Sequence, residues 1–65
     1  MLYTDVYRDV FQFHKERMRA EMTPAFWDDT CRMMIEICDK YDNHDFVVDL
    51  LAVVFSELER RRMHG

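Results

Sequence analysis

Apolar residues recur along this chain at helical rather than strand spacing, in three segments. From residue 5 to residue 19, Val6, Tyr7, Val10, Phe11, Phe13, His14 and Met18 fall within an arc of about 160° when each residue is advanced by about 100°. Asp5, Asp9, Gln12, Lys15, Glu16 and Arg19 take the other side. That pattern predicts a surface helix with one apolar face. Thr4 is placed to cap it, because a threonine hydroxyl can accept an N–H of the first turn, and Asp5 suits the positive end of the helix dipole.

A second helix is predicted over 24–41. Thr23 stands at the capping position, Pro24 fits the first helical position, where its missing N–H costs nothing, and Asp28 and Asp29 lie in the first turn. Met22 and Trp27 occupy the two positions of a hydrophobic staple. Trp27, Cys31, Met34, Cys38 and Tyr41 then alternate at steps of four and three, the spacing of a packing seam. Phe26, Met33 and Ile37 form a second apolar stripe about 100° away.

Asp42-Asn43-His44-Asp45 breaks the pattern, with Asp42 or Asn43 expected to cap a third helix over 44–62. Its first half is apolar almost all round, from Phe46 to Phe55 with Asp49 the interruption, which predicts a central position. Its far end is polar: Glu57 with Arg61 and Glu59 with Arg62 have helical pair spacing, and Arg60 to Arg62 suit the negative end of the dipole. Short connections favour antiparallel neighbours, so the expected architecture is an all-α, up-down-up three-helix bundle forming one domain over residues 1–65.

Composition narrows the function classes. Sixty-five residues bury a small core, about 60% of the unfolded chain's surface, so a partner, a metal or a disulfide is the usual supplement. With 49% hydrophobic residues, one Gly and one Pro, the chain is too apolar to be disordered and has too few turn formers for a β-barrel. Cys31 and Cys38, seven helical residues or about 10 Å apart, cannot form a disulfide within one chain and are expected to be reduced core thiols. No apolar run approaches the roughly 18 residues of a membrane span, and residues 1–5 lack signal-peptide character, so a cytoplasmic protein with no membrane association is expected.

No catalytic site is expected. His14, Cys31, Cys38, Asp42, His44, Asp45 and His64 lack metal-ligand spacing, with no C-x-x-C and no i, i+4 His pair, and no metal or cofactor is predicted. Ser56 stands alone, and thiols on a packing seam are inert. A net charge of −4 and valines and leucines where a recognition helix would carry Arg, Lys, Asn or Gln argue against direct nucleic-acid binding. Residues 23–49 hold seven acids against two bases, and Asp28, Glu36 and Asp39 share a helix face, so an acidic inhibitor or nucleic-acid mimic acting on a nucleic-acid enzyme is the alternative reading.

The segments Val6-Tyr7-Arg8-Asp9, Phe13-His14-Lys15, Phe26-Trp27, Ile37-Cys38-Asp39-Lys40-Tyr41, Asp49-Leu50-Leu51-Ala52-Val53 and Glu57-Leu58-Glu59-Arg60 resemble a group of short uncharacterised helical proteins of bacterial prophages and mobile elements. The resemblance implies a small accessory protein of a phage-like element and brings no activity or functional residue with it. The leading expectation is a non-enzymatic protein-interaction module, a homodimer that also binds another protein. Its interface is expected on the second and third helices, because a three-helix unit covers one stripe per helix, and Phe26, Met33 and Ile37 lie beyond the Trp27 seam while Phe46 and Val53 lie away from the Leu51 and Leu58 side.

Overall fold

The computed structural model describes the backbone of residues 1–64 and the side chains of residues 1–61. Three α-helices follow one another, α1 (Tyr3–Arg19), α2 (Phe26–Lys40) and α3 (Asp45–His64), with no strand among the described residues. Contacts between their ends give the directions. Lys40, at the end of α2, bonds Asp9 in the first half of α1, and Arg17, near the end of α1, reaches Thr30 in α2, so α1 and α2 are antiparallel. Tyr3 and Tyr7 of α1 meet Phe46 at the start of α3, so α1 and α3 are parallel. This up-down-up bundle measures 35 × 18 × 17 Å.

The core is a stack of narrow stripes. Val6, Val10 and Phe13 come from α1, and Val47, Leu51, Val54 and Leu58 from α3, each at steps of three and four. Full burial of one such side chain contributes on the order of 1.5 to 3 kcal/mol. On α2 the buried residues are Phe26 and Thr30, with Met33, Met34, Ile37 and Tyr41 partly buried. Phe26 is 1% exposed, lies under the Arg17 guanidinium at 5.2 Å, and takes the Trp27 ring edge-on.

Helix α2 is therefore turned about 80° from the expected seam. Trp27 is half-buried at the bundle's edge against Phe55, and Cys31 is exposed rather than a core thiol. Phe26 points inward, and Met33 and Ile37 pack against the core, which corrects the premise that they stand uncovered. Phe46 is also partly buried, whereas Val53 stays 66% exposed. Thr30 is the reason. It interrupts the stripe Phe26–Thr30–Ile37 as a polar residue, yet its hydroxyl donates to the Phe26 carbonyl at 2.7 Å and so tolerates complete burial. Nor is α3 central; it buries one stripe and leaves its two sides at the surface.

The helix ends also differ from expectation. Helix α1 starts at Tyr3, with Thr4 inside its first turn, and α2 starts at Phe26, with Thr23 and Pro24 in the preceding turn, where the Thr23 carbonyl accepts the Phe26 N–H at 3.0 Å. Asp42 and Asn43 do not cap α3. Both adopt the left-handed conformation at φ 54° and close α2 instead, with the Asn43 N–H donating to the Cys38 carbonyl at 2.8 Å and the Asp42 N–H to that of Asp39 at 3.2 Å. His44 caps α3: its ring Nδ1 accepts the Phe46 N–H at 3.1 Å. Glu57 bonds Arg60 at 2.6 Å, not Arg61, while the expected Glu59–Arg62 pair and the His64 side chain lie outside the described residues.

Candidate functional site

Three helices packed side by side leave three furrows, and here their chemistry differs. The furrow between α1 and α2 is polar. Asp9, Gln12, Glu16, Glu36 and Lys40 line its walls above Phe13, Met33 and Ile37, around a hollow of about 290 Å³. At one end of it is a clasp in which Lys40 Nζ donates to Asp9 Oδ2 at 2.7 Å and the Tyr41 hydroxyl donates to the same oxygen. The Lys40 ammonium, aided by the Tyr41 hydroxyl, holds the Asp9 carboxyl below its usual range, and that carboxylate in turn pushes both Lys40 and Tyr41 up.

The furrow between α1 and α3 is aromatic. Phe46 sits edge-on to Tyr3 and Tyr7, at ring separations of 5.1 and 5.7 Å. Tyr3, Tyr7, Phe11 and Met18 follow one another along α1 at steps of four and seven and are all more than two-fifths exposed. Val53 stands exposed on the α3 side. On the outer surface of α1, Phe11, His14, Lys15, Met18 and Arg19 line a hollow of about 390 Å³.

Between α2 and α3 runs an apolar groove of about 560 Å³ lined by Cys31, Met34, Ile35, Cys38, Asn43, Val48 and Phe55. Burial, reinforced by the neighbouring Asp39 carboxylate, pushes the Cys38 thiol up, away from a reactive thiolate. One helical turn along α2 or α3 from a lining residue stand Asp28, Asp39, Asp45 and Glu59, all exposed, and Asp42 precedes the lining residue Asn43 in the turn. Arg32 is the base on this rim among the described residues, and it is bonded to Asp29.

Charge is also graded along the bundle. The end holding the α1 and α3 N-termini and the α2 C-terminus carries Asp5, Asp9, Glu36, Asp39, Asp42, Asp45 and Asp49 against Arg8 and Lys40. The opposite end is closer to balanced, with Lys15, Arg17, Arg19, Arg60 and Arg61 among Glu16, Glu21, Asp28, Asp29, Glu57 and Glu59.

The structure does not bring the five expected interface residues onto one surface. Phe26 is in the interior, Met33 and Ile37 floor the α1/α2 furrow, and Phe46 and Val53 belong to the α1/α3 flank. Of the expected acidic face, Asp28 and Asp39 stand one helical turn from Cys31 and Ile35 of the α2/α3 groove, whereas Glu36 lines the α1/α2 furrow. Sequence reasoning missed Ile35 and Val48 as surface residues. The available signal was α3's apolar girdle, which fits a helix bordering two apolar furrows as well as a central one. Among the described residues no three His, Cys, Asp or Glu side chains are grouped to hold a metal ion, and no helix is long and apolar enough to cross a membrane. Comparison of this chain with protein-family models, with curated proteins and with solved structures finds no match.

Proposed function

We propose that the chain is a non-catalytic protein-binding module whose resting state is a twofold dimer formed through the α1/α3 flank. The observation that carries this reading is the set of exposed apolar side chains there, with Tyr3 and Tyr7 at 56%, Phe11 at 61% and Val53 at 66% exposure. Monomers rarely leave such a set in water. A stable interface takes about 800 Å² from each partner, roughly a sixth of this chain's 4814 Å². Antiparallel pairing across this flank sets the acidic end of one copy beside the more balanced end of the other, where Lys15 and Arg19 stand, whereas parallel pairing would crowd two acidic ends together. The flank replaces the second-helix stripe as the self-association surface, and an accessory role in a phage-like element is compatible with so small a binding module.

Light scattering after gel filtration at micromolar concentration tests the dimer. The expected mass is twice the 8.0 kDa of one chain, and Phe11→Glu, at an exposed position, should return the monomer mass. A monomeric wild type, or a Phe11→Glu variant that dimerises unchanged, overturns the interface.

A further inference from the structure

We infer that the α2/α3 groove is a docking site for a basic amphipathic helix of a partner protein. The floor supplies the apolar half of the recognition. Cys31, Met34, Ile35, Cys38, Val48 and Phe55 are hydrocarbon and sulfur, Ile35 is 60% exposed, and methionine adapts its shape to what it packs against. From Cys31 to Cys38 the groove follows seven residue steps of α2, about 10 Å at helical rise, which is the span of two turns. A helix laid in it would set anchors at positions i, i+3 or i+4, and i+7 onto this floor. The groove is open along its length rather than closed around a small molecule.

The rim decides the occupant. Asp28, Asp39, Asp45 and Glu59 each stand one helical turn from a lining residue, Asp42 is next to Asn43, and Arg32 is occupied by Asp29. Lys and Arg beside the apolar stripe of a docked helix would meet carboxylates on both edges, whereas an acidic helix would be repelled. A second copy of this chain is excluded on the same ground. The rim is acidic at both its ends, so either direction of self-pairing would place carboxylates against carboxylates, unlike the α1/α3 flank. The two surfaces therefore favour different occupants, and docking in the groove does not depend on the dimer.

The probe is a fluorescein-labelled helical peptide of about 14 residues with a leucine stripe and lysine flanks, titrated by anisotropy, with a glutamate-flanked peptide of the same stripe as its control. The lysine peptide should bind at micromolar concentration, weakening by about tenfold as salt rises from about 50 to about 500 mM, and the glutamate peptide should not bind. Ile35→Ser with Val48→Ser, and separately Asp39→Lys with Asp45→Lys, should each weaken binding by about tenfold or more. Asp5→Lys, away from the groove, and Phe11→Glu, on the dimer flank, should bind as the wild type does. Equal binding of the two peptides, indifference to the floor or rim substitutions, or loss of binding in Asp5→Lys or Phe11→Glu overturns the site. Circular dichroism of each variant separates lost docking from lost folding. Because Phe11→Glu reads the dimer and the floor variants read the groove, failure of one surface is distinguishable from failure of the other.

Discussion

At the scale of single residues, two positions decide how the bundle is built. Phe26, buried like Phe13, lies under Arg17 and beside Trp27, whereas Trp27 keeps part of its ring at the surface. Truncating an enclosed aromatic leaves a cavity as well as losing its burial, so Phe26→Ala should cost about 3 to 5 kcal/mol and Trp27→Ala less. Urea titrations of the two variants check the order. Asp9 is the second. Its carboxyl titrates below its usual value of 3.8 in the folded chain, so the clasp stabilises fully above that pH and is lost as the pH falls through the lower folded value. Lys40 and Tyr41 are pushed above 10.5 and 10.0, so their share is complete below those values and is lost as the pH rises past the folded ones. Thermal melts of Asp9→Asn should show a flatter stability profile below about pH 4 and, since Lys40 is largely in water, a midpoint lowered by no more than a few degrees at neutral pH.

At the scale of elements, the turn between α2 and α3 carries the most specific backbone demand. Asp42 and Asn43 both adopt a left-handed conformation that costs most residues about 1 to 2 kcal/mol, and Asp and Asn pay less than others because their side chains bond locally. Glycine removes the penalty, so Asn43→Gly should raise stability by about 0.5 to 1 kcal/mol, read as a shift of the urea midpoint at unchanged slope. Existence, number and direction of the helices were legible in the sequence because each has a long period-3.6 pattern with short connections. The rotation of α2 was not, because a one-dimensional pattern counts Thr30 as polar and cannot see that its hydroxyl is satisfied one turn back. The cap of α3 was missed for a related reason: histidine was weighed as a metal ligand, and its ring nitrogen instead completes a helix end. The groove's acidic rim was half legible, since Asp28 and Asp39 were singled out, but its apolar floor depends on which side of α2 meets α3.

At the scale of the whole molecule, the narrow core and the two apolar flanks belong together. A core of one stripe per helix gives a chain of this length little stability to spare. Helix α3 borders both flanks, so whatever covers either of them packs against an element whose other side is already the main wall of the core. An occupant that recognises the folded bundle and not the unfolded chain draws the folding equilibrium towards itself, by about 2.7 kcal/mol when present at a hundred times its dissociation constant. For a domain with so little in reserve, that amount is a large share of the total. With the proposed dimer partner or groove occupant bound, its lifetime against proteolysis would follow the abundance of that occupant.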